Sequence, residues 1–225
     1  MRILVVAATD MEITPFVAKL RHTSDGGQVN SYTFAVHEVD VLTTGVGMVA
    51  TAAWCSRILI QKPYDLGLNF GLCGSFDRAL GPGIVVHVRS DRIAELGAED
   101  DEAFVTAQEL ELLGEHEFPF KNGQLVNLAP PDNAALRSLP AVDGITVNTV
   151  HGNPRSIADV ERRFTPRVES MEGAAFMYAC MIQGLVHAQV RSVSNLVEKR
   201  NRDAWKIADA IRSLGHTALS ILDHA

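Results

Sequence analysis

Two short stretches concentrate polar chemistry in a largely apolar sequence. In Val168-Glu169-Ser170-Met171-Glu172-Gly173-Ala174-Ala175 a carboxylate, Glu172, stands at the mouth of an apolar helical run, and Val190-Arg191-Ser192-Val193-Ser194-Asn195 ends a strand-like run in polar side chains. α/β enzymes aim functional groups into a cleft in this way, from the carboxyl ends of strands. Glu12, in Asp10-Met11-Glu12 just past the apolar run Ile3 to Ala8, faces the same kind of crevice. A carboxylate there can serve as a general base or stabilise developing positive charge. Each position also has a plainer use: the helix dipole favours an acid in a first turn, and asparagine forms turns at strand ends. Arg191 precedes Val193 and Asn195 on one strand face by simple alternation, which suits an ion pair that anchors the site.

The elements that must position these groups follow from apolar runs. Ile3 to Ala8, Val39 to Thr43, Leu66 to Phe70, Ile84 to Val88, Ile145 to Val150 and Ala188 to Val193 have strand length, whereas helices are expected from about Met11, from about Met48, over Ser170 to Gln183 and over Asp203 to Leu222. Such alternation implies an α/β class with a largely parallel sheet covered on both faces. In the last helix Ala204, Ile207, Ala208, Ile211, Leu214, Ala218, Ile221 and Leu222 fall at spacings of three and four, one buried stripe. Gly81-Pro82-Gly83 and Ala129-Pro130-Pro131-Asp132 suit turns rather than linkers, and the acidic run Glu95 to Glu102 suits a solvated loop. With 225 residues, 47% of them hydrophobic, the chain is expected to form one domain over 1–225.

Gly45-Val46-Gly47-Met48-Val49-Ala50 matches a dinucleotide-binding fingerprint, G-x-G-x-x-A between a strand and a helix, with Asp65 twenty residues after Gly45. In that fingerprint the acid sits at the carboxyl end of the next strand, whereas Asp65 precedes Leu66 to Phe70. A dinucleotide-binding or ligand-sensing domain therefore stays as the rival from a different class, and a turn at Gly47 that lines another ligand's site is preferred. A formal charge of −7 and a pI of 5.6 argue against a nucleic-acid partner. Cys55, Cys73 and Cys180 form no C-x-x-C pair, and the eight histidines show no metal spacing, so no disulfide framework, metal or other cofactor is expected. Without a signal-peptide core or a long apolar segment, the expected place is the cytoplasm, with no membrane partner.

Taken together, the Met171-Glu172-Gly173 and Arg191-Ser192-Val193-Ser194-Asn195 segments resemble those of the nucleoside phosphorylase and nucleosidase superfamily. The resemblance runs from Met1 to the final helix. Within the superfamily, Ile145-Thr146-Val147-Asn148-Thr149-Val150-His151-Gly152 and the stretch from Ser192 through Trp205 are similar to segments of the futalosine hydrolases. The resemblance implies a three-layer α/β/α fold with a central mixed sheet, and a homo-oligomer whose sites a neighbouring subunit helps to complete. It implies that Glu12 activates water and that Glu172 holds the ribose hydroxyls over a floor of Met171. It further implies that Asn195 reads the purine, with Ser194, Cys73, Gly74 and Gly47 around it. Thr149 and His151 are expected on the base or 5′ side, and Arg200 or Arg202 is expected on a benzoate arm.

Phosphorylases of the superfamily carry arginines that bind phosphate. Here Asn69 precedes Phe70-Gly71-Leu72-Cys73-Gly74, and a phosphate anion with no arginine clamp is poorly held, so water is the expected nucleophile. Nucleosidases that release adenine, including those for methylthioadenosine and adenosylhomocysteine, carry Asp where this chain has Asn195. A carboxylate repels the acceptor edge of a 6-oxopurine, whereas a carboxamide both donates and accepts, so hypoxanthine is favoured over adenine. An amide cannot be a general acid at neutral pH, which leaves the proton for the departing purine without an assigned donor.

Overall fold

The computed structural model describes residues 1–225. The first half runs β1 (Arg2–Ala7), α1 (Asp10–Val17), β2 (Arg21–Ser24), β3 (Val29–Phe34), β4 (His37–Thr43), α2 (Met48–Gln61), β5 (Leu66–Ser75), β6 (Val85–Ile93), β7 (Gly97–Asp100) and β8 (Ala103–Thr106). The second half adds β9 (Phe120–Lys121), β10 (Gln124–Val126), α3 (Ala134–Ser138), β11 (Ala141–Thr146), α4 (Pro154–Phe164), β12 (Val168–Ser170), α5 (Gly173–Ile182), β13 (His187–Leu196) and α6 (Ile207–Asp223). No helix is long and apolar enough to cross a membrane.

Strand β1 is almost wholly buried, as a continuous apolar run between two covered faces must be. It pairs in parallel with β4 and β5, while β2, β3 and β4 form an antiparallel wing. The sheet is therefore mixed. Strand β13 pairs with both β5 and β6, so β5, β12, β11, β6 and β13 close into a ring that has no free edge between its members. Cys73, Val86, Val142, Val168 and Val193, one from each of these strands, pack into a common cluster. On one face α1 and α6 bring Phe16, Leu214, Ala218 and Ile221 against Val5, Phe70 and Val190. On the other, α2 and α5 bring Cys55, Phe176 and Met177 against Leu4, Val6 and Leu42. The result is three layers, α/β/α, around a mixed sheet.

Several elements depart from the pattern of apolar runs, each for a local reason. The strand expected over Ile145 to Val150 stops at Thr146, because the Asn148 and Thr149 N–H groups turn onto the Glu95 carboxylate at 2.7 and 3.2 Å. The helix expected over Ser170 to Gln183 begins at Gly173, since Val168–Ser170 joins the sheet between β11 and β5. The helix expected from Asp203 begins at Ile207, since the Lys206 N–H bonds to Ser194 O at 2.8 Å and ties the chain back to β13. The acidic run is not a loop: Gly97–Asp100 is the solvent-exposed strand β7, paired with β8. Asp65 accepts from the Arg2 N–H at 2.7 Å at the start of β1, the end of the sheet away from the glycine turn. A ribose at that turn lies out of its reach, which removes the geometry of a dinucleotide site.

Beneath the start of α5 lies a buried acid. Asp91 accepts from Thr146 Oγ1 and Gln189 Nε2, both at 3.0 Å, and a side chain on Gly173 would collide with this pair. Burial pushes the Asp91 carboxyl up to about 7. The protonated acid can also serve Gln189 Oε1, which otherwise has no partner, once that amide turns over. Because the folded carboxyl holds its proton above the range of an unfolded aspartate, this group subtracts stability progressively as pH rises from about 4 to about 7. Asp91→Asn is expected to remove the penalty, at most roughly 4 kcal/mol at neutral pH. Thermal denaturation checks it: the Tm difference between variant and parent should widen from pH 4 to pH 7, and a constant difference contradicts it.

Candidate active site

The carboxyl ends of β1, β5, β12 and β13 surround a cavity of about 280 Å³, lined among others by Glu12, Gly74, Met171, Glu172, Ser194 and Asn195. This is where an open α/β sheet leaves room for a ligand. The Glu12 carboxylate is fixed by three donors. Its Oε2 accepts from Thr9 N–H at 3.0 Å and Thr9 Oγ1 at 2.9 Å, and its Oε1 accepts from Leu72 N–H at 3.0 Å. Thr9 and Glu12 thus form a capping box that begins α1 and sets the acid's rotamer at once.

Glu172 is the N-cap residue of α5, but its side chain turns away to the glycine loop, where Oε1 accepts from Gly47 N–H at 3.0 Å. Gly47 has φ +98°, a conformation that L side chains rarely adopt, and this presents its N–H to the carboxylate. Gly47 itself therefore acts on the cavity through Glu172. Arg191, only 1% exposed, places Nη1 3.7 Å from Glu172 Oε2 and donates from Nη2 to Asn69 Oδ1 at 2.5 Å. Gly71 makes the room, because a Cβ there would strike the guanidinium and lie 3.2 Å from Glu12 Oε1. One buried cation thus stands between both carboxylates and does not reach the cavity. Burial raises the Glu172 carboxyl above its ordinary range, while Arg191 and the Gly47 N–H oppose that rise.

Strand β13 carries an extra residue here. Val193 pairs with Cys73 and Asn195 with Gly74, so the bulge at Ser194 removes the simple alternation that would put Arg191 and Asn195 on one face. Ser194 Oγ donates to Asn195 Oδ1 at 2.8 Å, with the Cys73 carbonyl 3.2 Å from the same hydroxyl. Asn195 Nδ2 donates to Leu196 O at 2.9 Å. A carboxamide has two donors and two acceptor sites, so this one keeps one of each for a ligand. Cys73 contributes backbone, since its thiol packs among valines and burial pushes it up to about 12.

Sequence reasoning missed Glu169, although it stands in the same segment as Glu172. It is 3% exposed, it pairs with Gly74 across the sheet, and both of its oxygens bind His151, through Nδ1 at 2.6 Å and the backbone N–H at 3.1 Å. The long-range register that places it is invisible in a linear reading. Thr149 is the expectation that fails: it is exposed, does not line the cavity, and has its N–H on Glu95. Arg202 also lies outside, whereas Arg200 lines the cavity with its guanidinium 5.3 Å from the centre of the Trp205 ring, itself a lining residue.

A family model described as the phosphorylase superfamily matches residues 2–225. A futalosine hydrolase of Acidothermus cellulolyticus is 33% identical over 179 residues, 79% of this chain and 72% of that protein. The chain belongs to the phosphorylase superfamily and to its futalosine hydrolase family. In fold, this superfamily member resembles the native futalosine hydrolase of Helicobacter pylori, with a TM-score of 0.76 at 15% identity over 100% of this chain and 98% of that one. It resembles equally a methylthioadenosine/adenosylhomocysteine nucleosidase of Colwellia psychrerythraea bound to adenine, with a TM-score of 0.76 at 19% identity over 100% of this chain and 95% of that one. The two share one fold, so fold does not choose the base, and the choice falls to side chains of the site.

Proposed function

We propose that this chain hydrolyses the N-glycosidic bond of futalosine, releasing hypoxanthine and dehypoxanthinyl futalosine in menaquinone biosynthesis. Asn195 carries the choice of base: its one unspent donor suits O6 of a 6-oxopurine, and its one unspent acceptor suits a ring N–H. Adenine offers a donor where hypoxanthine offers O6. Glu12, pre-aligned by three donors, receives a proton from the attacking water. Glu172 accepts from the 2′- and 3′-hydroxyls above Met171 and stabilises the oxocarbenium-like charge that develops on the sugar. Gly47 aims Glu172, Ser194 aims Asn195, and Cys73 and Gly74 form the wall beside the base.

Water as nucleophile is supported by the lining of the cavity, where Arg200 is the one lysine or arginine. A bound phosphate dianion needs more than that. Arg200, resting on Trp205, suits the carboxylate of the 5′ benzoate arm, with the indole as an apolar surface for the ring. We also assign residues 1–225 to one nucleosidase domain, in a cytoplasmic homo-oligomer. The exposed Met11 and Val46 at the cavity and the exposed Val49 beyond them support a neighbouring subunit at its mouth. Chromatography of futalosine incubated in phosphate-free buffer is the test, with hypoxanthine and the free sugar expected. A requirement for phosphate, with a sugar 1-phosphate as product, would overturn hydrolysis.

A further inference from the structure

We propose that His151, held by Glu169, is the catalytic residue that protonates the leaving purine. The inference rests on the nucleosidase reading above and supplies the proton that Asn195 cannot give. Its geometric basis is Gly74, the register partner of Glu169 on one side and of Asn195 on the other. A Cβ on Gly74 would strike Val197 Cγ2 at 2.8 Å and lie 3.5 Å from both Asn195 Nδ2 and Glu169 Cγ. The glycine lets Val197, Asn195 and Glu169 close in around it, and Gly74, Asn195, Glu169 and His151 all line the one cavity. A base seated beside Gly74 then has the amide on one side and the Glu169–His151 pair on the other.

Glu169 has no use that packing explains. It is 3% exposed and both oxygens serve His151 alone, an arrangement that buries a carboxyl group to fix one imidazole. With Nδ1–H on the carboxylate, the remaining ring nitrogen, Nε2, has no protein partner, and the ring lines the cavity with Phe76 edge-on at 6.2 Å. When Nε2 also carries a proton, the carboxylate is its counter-charge. Glu12, Glu172, Glu198 and Arg200 are the other charged groups that line the cavity, and on its other side His151 borders a second pocket with Asp101, Glu102, Asp159 and Arg163.

The step balances as follows in atoms and charge. The water oxygen bonds to C1′ as the C1′–N9 bond breaks, and the water proton passes to Glu12. The C1′–N9 electron pair stays with the purine, and a ring nitrogen of the purine takes the proton from His151 Nε2. Exchange of one proton with solvent at each residue returns Glu12 and His151 to their starting forms.

The experiment compares futalosine with its 7-methylated derivative, whose cationic base leaves neutral without any proton. His151→Gln keeps a donor but transfers no proton. It is expected to lower kcat on futalosine by about 10²–10³ while lowering kcat on the methylated substrate less than about tenfold. Equal loss on both substrates, or a change confined to KM, overturns the proposal. Should His151→Gln fail to fold, Glu169→Gln, which alters a positioning residue, is expected to show the same selectivity for futalosine, and equal loss again overturns it. A wild-type enzyme that cleaves neither substrate would overturn the nucleosidase reading itself, and this inference with it.

Discussion

Glu12→Gln is expected to lower kcat on futalosine by about 10²–10⁴, with KM changed by less than about threefold, the signature of a group that works in the transition state. The substitution is nearly isosteric and keeps one oxygen. That oxygen can still accept from Leu72 N–H, while the new amide meets Thr9, whose hydroxyl can turn from donor to acceptor. The Thr9 N–H loses its partner, so a stability loss of about 1–2 kcal/mol accompanies the change. Single-turnover kinetics beside a melting curve separates the two effects. A folded variant that retains more than a tenth of the parent kcat would remove Glu12 from the role of base.

Asn195→Asp is expected to shift the preferred base. The carboxylate can still accept from Ser194 Oγ, but it faces Leu196 O with an acceptor where Nδ2 donated, and it presents no donor to O6. An unpaired buried polar group costs about 1–3 kcal/mol, so the lost donor to O6 is expected to lower kcat/KM on futalosine by roughly 10- to 100-fold, while the mismatch at Leu196 O, present in the free enzyme too, lowers stability. A 6-amino group, by contrast, gains an acceptor. The ratio of kcat/KM for futalosine to that for an adenine nucleoside is therefore expected to fall by about 10³, whatever the variant's absolute activity. A ratio within tenfold of the parent's would mean that Asn195 does not read the base.

The parts of this molecule that its sequence announces are those in which local pattern and tertiary role coincide. β1 and the stripe of α6 from Ile211 onward are legible because continuous burial and a spacing of three and four leave few alternatives, whereas Ala204 and Ala208, expected in that stripe, are exposed because the helix starts only at Ile207. Glu12, Glu172 and Asn195 are legible because each follows or ends an apolar run and must emerge at the carboxyl edge of the sheet. What stayed hidden depends on register. The closure of β13 onto both β5 and β6 is a pairing choice with no local mark, and it sets Glu169, Gly74 and Asn195 in one row. The bulge at Ser194 likewise overrides the alternation that would put Arg191 and Asn195 on one face. Strands β7 to β10 escape because they are short, and β7 is exposed along its whole length, so neither gives a periodic signal. Thr149 fails because a distant carboxylate, Glu95, captures its backbone and ends the strand early.

Futalosine, inosine and methylthioadenosine incubated side by side with the enzyme, with released bases resolved by chromatography, put the substrate to direct test. Hypoxanthine from futalosine is expected at a kcat/KM at least about a hundredfold above base release from the other two, equivalent to roughly 2.7 kcal/mol of transition-state discrimination. Adenine released from methylthioadenosine at a comparable kcat/KM would contradict it.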